Sequence, residues 1–112
     1  MRTAEIRHYL AELKRSLKPG GRAMLTFFII NEQTQNLMAA SHAYYNFNVK
    51  LEDCYTIDRQ APERAIGYSE VVLRRLFHGA DLDVVEPFLY GSWSGRKSML
   101  NTQDVVILRK GE

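Results

Sequence analysis

The sequence predicts an α/β fold, a small mixed three-stranded sheet carrying helices. Three observations lead there. A helical pattern runs through Pro19-Gly20-Gly21 directly into an apolar stretch, the half of a βαβ unit that returns a chain to a parallel sheet. A second helical pattern stops at Gly79 and leads into another strand-like stretch. The last apolar run, Val105 to Leu108, is unbroken, which marks a strand in the middle of a sheet.

In the first element, Ile6, Tyr9, Leu10, Leu13 and Leu17 fall on one helical face, with Thr3 as N-cap and Glu5 in the first turn. Lys14, Arg15 and Lys18 suit the negative end of its dipole, and Pro19-Gly20-Gly21 stops it. Arg22 to Ile30 is predicted as a strand whose apolar residues do not alternate, so both faces should be covered. Leu37, Met38, Ser41, Tyr44 and Tyr45 suit a helix within 31–45 that starts at Asn31 or Thr34. Residues 47–57 alternate weakly and read as short strand or ordered loop.

Ser69 is a good N-cap, and Val72, Leu73, Leu76 and Phe77 give a helix from Glu70 to His78 that ends at Gly79. Residues 83–90 form the next strand, and Pro87, which has no N–H to donate, confines it to a sheet edge. Residues 104–108 should be more central. The connection 91–103 is too short for a crossover helix, so the last two strands should be antiparallel neighbours. The stretch 91–101, rich in Gly and Ser, is expected to be a mobile, solvent-facing hairpin loop carrying Arg96 and Lys97.

The chain has 112 residues, 46% of them hydrophobic, enough for one core, and residues 1–112 form a single domain. Its 15 Lys and Arg against 13 Asp and Glu leave +2, too little to make nucleic acid the expected partner. Cys54, alone in the chain, has no partner for an internal disulfide and reads as a small buried packing residue. The N-terminus lacks the apolar core of a secretory signal, and the longest apolar run, Ala23 to Ile30, is far shorter than a membrane span. A cytoplasmic protein without a membrane partner is expected. His8, His42 and His78 sit on separate elements without a second ligand at metal spacing, so no metal site is assigned. No Ser-His-Asp or paired-carboxylate spacing supports a hydrolase.

The string YLAELKRSLKPGGR, from Tyr9 to Arg22, followed by an apolar strand, resembles the helix, turn and fifth strand of class I S-adenosylmethionine-dependent methyltransferases. Residues 62–69, the helix ending in Gly79-Ala80-Asp81-Leu82, the stretch Tyr90-Gly91-Ser92-Trp93-Ser94-Gly95-Arg96, and Gln103 to Ile107 before Arg109-Lys110 look like the later part of the same family. The resemblance implies the back half of a Rossmann-like fold, with an antiparallel last strand between the fifth strand and an edge strand. It also implies transfer of a methyl group from S-adenosylmethionine to a small-molecule acceptor.

In that family the donor-binding segments precede the Lys-Pro-Gly-Gly turn, and none has a counterpart here. Gly20-Gly21 follows a helix, so it does not aim helix N-terminal amides at a cofactor. S-adenosylmethionine therefore belongs to the parent family; the chain alone is expected to bind no cofactor and to be inactive. The resemblance places the acceptor side in this chain. His42 is the candidate base, and Asn31, Tyr45, Tyr68, Tyr90 and Trp93 are the candidate acceptor-binding residues. A non-catalytic ligand-binding or protein-interaction domain is the alternative. With the family's fourth strand missing, residues 25–30 should present a free, apolar edge, which predicts a homodimer or larger assembly burying Phe27, Phe28 and Ile29.

Overall fold

The computed structural model describes residues 3–40, 43, 45–61, 65–95 and 103–111. Its elements are α1 (Thr3–Ser16), β1 (Arg22–Ile30), α2 (Glu32–Ala39), β2 (Val49–Lys50), β3 (Tyr55–Thr56), β4 (Ile66–Ser69), α3 (Glu70–Gly79), β5 (Asp83–Val84) and β6 (Asp104–Arg109). The strands form one mixed sheet in the order β2-β3-β4-β1-β6-β5. β1 and β4 run parallel, and every other neighbouring pair is antiparallel.

The α/β class is as expected, but the sheet has six strands rather than three. The additional strands, β2, β3 and β4, come from residues 47–69. Two of them are two residues long, too short for a two-residue period to register. The edge position of β5 and the inner position of β6 match the expectation. The ladder beyond Val84 is interrupted: Val85 donates to the Ile107 carbonyl, the chain bends at Glu86 and Pro87, and Leu89 rejoins β6 opposite Val105.

The turn after α1 is clamped to the end of β6. Gly20, at φ 77°, donates to the Lys110 carbonyl at 2.9 Å, and Lys110 donates back to Gly21. A Cβ on Gly21 would lie 2.8 Å from the Lys18 carbonyl, so this turn requires glycine for helix capping.

α1 and α3 cover one face of the sheet. Their Ile6, Leu10, Leu73, Leu76 and Phe77 meet Phe27 and Ile29 of β1, Tyr68 of β4, and Val106 and Leu108 of β6. Cys54 is 3% exposed in this core, the packing role expected of it. On the opposite face a smaller cluster of Ile30, Phe47, Ala65 and Trp93, with Phe28 and Met38 against it, covers the carboxyl end of β1.

Several expectations are corrected. β1 is central, yet only its carboxyl half is covered on both faces: Arg22, Met24 and Thr26 alternate outward, and Met24 is 70% exposed. Its second edge is not free, because β4 pairs with it at Phe28, Ile29 and Ile30. Phe27 and Ile29 are buried within the chain itself, so an assembly through that edge loses its physical basis. The helix expected within 31–45 stops at Ala39, and His42 lies outside the described residues. Arg96 and Lys97 lie outside them as well. Of the loop expected to face solvent, the described part, 91–95, is instead packed inward, with Trp93 and Ser94 both 0% exposed.

Candidate functional site

In an open sheet with parallel strands, ligands gather beyond the carboxyl ends of those strands. Here that is where β1 runs into Asn31 and β4 runs into Glu70. Asn31 is the N-cap of α2. Its Oδ1 accepts from the Thr34 amide at 2.9 Å, and the Thr34 hydroxyl accepts from the Asn31 amide at 2.8 Å, a reciprocal capping box. That bond fixes the side chain, and its Nδ2 donates to Glu70 Oε1 at 3.2 Å.

Glu70 opens α3 directly after Ser69, whose hydroxyl makes no capping bond. Besides Asn31, it accepts from the Tyr90 hydroxyl on Oε1 and from Arg74 Nε on Oε2 at 3.3 Å. Arg74 in turn makes a two-pronged pair with Glu86, at 2.7 and 3.1 Å, and its guanidinium lies 4.1 Å above the Phe88 ring. Three elements are thereby tied to one carboxylate. Burial pushes the Glu70 carboxyl up, but the bonds from Tyr90, Asn31 and Arg74, with the Arg74 charge, outweigh it and hold the group below the usual carboxylate range. A carboxylate so stabilised is a poor proton acceptor at neutral pH. Glu70 holds Asn31 and Tyr90 in place rather than acting as a base.

A second polar junction lies behind this one. Asp104, 0% exposed, accepts from the Ile29 amide at 2.7 Å, the Gly91 amide at 2.7 Å and Trp93 Nε1 at 2.8 Å. β6 begins at this residue, so its carboxylate continues the hydrogen bonding that the strand no longer offers to β1. Trp93 stands edge-on to Phe28 and Phe47, at 5.8 and 5.1 Å between centroids.

Of the residues expected to form the site, the structure brings Asn31 and Tyr90 together on Glu70. Tyr45, 37% exposed, lies on Phe28 at 5.3 Å and so joins the aromatic cluster around the fully buried Trp93. Tyr68 is 4% exposed on the opposite face of the sheet, edge-on to Phe27 in the main core, a packing position. Glu70 itself is absent from the sequence-based candidates. Its signal was the acidic first turn of α3, which reads locally as a helix-dipole residue. Asp104 is hidden the same way, at the head of an apolar strand. A groove of about 600 Å³ between α1 and α3, with Arg7, Arg75 and Glu52 in its walls, contains none of these residues.

No family model and no solved structure matches the chain.

Proposed function

We infer that the chain is the acceptor-side part of a class I S-adenosylmethionine-dependent methyltransferase acting on a small-molecule acceptor. The observation that carries this reading is the order β1-β6-β5, with antiparallel β6 between a parallel strand and an edge strand. That order is what the resemblance of residues 9–22, 62–69, 79–82, 90–96 and 103–107 implies. The convergence of Asn31 and Tyr90 beyond the carboxyl ends of β1 and β4 adds to it.

The residues present do not fit the methyl donor. Gly20 and Gly21 are spent on capping α1 and clamping β6, and both ends of the Asn31 amide are committed to Thr34 and Glu70. No step is therefore assigned to the donor on this chain. What the chain supplies is orientation of an acceptor. Glu70 accepts a hydrogen bond from the Tyr90 phenol and another from Asn31, and so holds both side chains beyond the carboxyl ends of β1 and β4, where an acceptor would be oriented.

Sequencing the gene upstream of Met1 tests the reading. A frame continuing into a Gly-rich strand-turn-helix, whose product transfers label from methyl-labelled S-adenosylmethionine, supports it. A longer product without that motif and without transfer overturns it in favour of a non-catalytic domain.

A further inference from the structure

The groove between α1 and α3, about 600 Å³, is of a size that takes a small molecule. Thr3, Arg7 and Ala11, four residues apart, line it along α1, and Val72, Arg75 and Gly79 line it along α3. Both ends are fixed. At the first, Asp53 Oδ2 accepts from the Thr3 amide at 3.2 Å. Just beyond the other, Lys14 of α1 pairs with Asp81, which follows α3. The groove is therefore already formed, and a ligand need not open it.

Its charged groups are unequally committed. Arg7 and Arg75 are exposed, and neither has an ion-pair or hydrogen-bond partner among the described residues. Of the two carboxylates in the walls, Asp53 is held by Thr3, while Glu52, beside it, pairs with neither arginine. Past the arginines the walls are apolar or small. Gly79 is the notable position: glycine weakens a helix relative to alanine, its φ is not positive, and a Cβ there would meet nothing within 4 Å. Neither conformation nor packing within the chain calls for glycine, and the space its side chain would fill belongs to the groove.

We propose that this groove binds an organic anion, one carboxylate on an apolar chain. The carboxylate lies between Arg7 and Arg75, whose planar N–H forks suit it, and the chain runs over Leu76 toward Ala11 and Gly79. Glu52 and Asp53 keep a second negative group from the amino end. Asn31, Glu70 and Tyr90 are not in this groove, so the proposal is independent of the methyltransferase reading.

Titration of the labelled chain with hexanoate, hexanol and acetate, followed by amide shifts, tests it. Hexanoate is expected to give saturable shifts at Ala11, Leu76 and Gly79. Hexanol, which lacks the charge, and acetate, which lacks the chain, should each bind about tenfold more weakly or worse. From butanoate to hexanoate, affinity should rise roughly two- to fourfold per methylene. Arg7→Gln and Arg75→Gln, at exposed positions, should each weaken hexanoate about tenfold. Gly79→Leu should fold by circular dichroism and abolish binding by filling the groove. No saturable shift with hexanoate, hexanol binding as tightly, or either arginine variant binding like the unaltered chain would overturn the proposal. A folded Gly79→Leu that still binds would overturn it too, and the arginine variants decide the matter if Gly79→Leu does not fold.

Discussion

Trp93 Nε1 donates to Asp104 Oδ2 at 2.8 Å, and both residues are 0% exposed. A buried carboxylate is tolerated only when its oxygens are satisfied, and here the donors are this indole and the amides of Ile29 and Gly91. The bond anchors the segment after Leu89 to the head of β6, and the same carboxylate ties it, through Ile29, to the carboxyl end of β1. It is the reason residues 91–95 are packed rather than solvent-facing.

Asp104→Asn should therefore destabilise the fold although it keeps the shape. The amide offers one acceptor oxygen where three N–H groups now find two, so at least one buried donor loses its partner. The expected loss is about 2–3 kcal/mol, read as a lower denaturant midpoint with an unchanged slope. A variant as stable as the parent would show the charge to be dispensable.

Glu70 should make stability depend on acidity. Its folded pKa lies below the ordinary value of 4.5, so its contribution is fully present above that pH and is lost as pH falls through the folded value. Glu70→Gln should remove that part of the acid loss. Thermal melts of both proteins between neutral and acid pH check this, and parallel curves would contradict it.

Gly67 faces Phe28 across the β1–β4 ladder. A Cβ there would stand 3.0 Å from Ile30 Cδ1 and 3.1 Å from Phe47 Cδ1, tighter than packed side chains tolerate. Gly67→Ala is expected to cost about 1–3 kcal/mol through overpacking. A raised melting temperature would show that Phe47 gives way freely.

Much of the fold could be read from the chain. The 3 and 4 spacing of Ile6, Leu10 and Leu13 announced α1, and Leu73, Leu76 and Phe77 announced α3, because each helix buries a single stripe. The edge position expected from Pro87 is that of β5, but the strand ends at Val84 rather than Tyr90 and Pro87 itself lies in the bend beyond it. What was not legible depended on partners distant in sequence. β4 is four residues long and acquires its identity from pairing with β1. The unalternating composition of β1 suggested cover on both faces, but exposure is set by what the other elements reach. Asn31 and Tyr90 reach Glu70, and Ile29, Gly91 and Trp93 reach Asp104, from 11 to 75 residues away, and neither carboxylate carries a local motif. Asn31 and Tyr90 were named as site residues, yet their shared partner was invisible.

The chain alone should not bind S-adenosylmethionine, because no glycine-led helix N-terminus is presented at the end of β1. Calorimetric titration is expected to give no heat beyond dilution. Micromolar binding would place a donor site on residues that the fold assigns to capping.

Asn31, Glu70 and Tyr90 are proposed as one wall of an acceptor site. Amide shift mapping of the labelled chain with a panel of small aromatic alcohols and amines tests it most directly. The expected result is a perturbed set centred on Asn31, Glu70 and Gly91, abolished by Tyr90→Phe, which keeps the ring and removes the phenol oxygen. Perturbations confined to other parts of the sheet, or unaffected by Tyr90→Phe, would contradict the account.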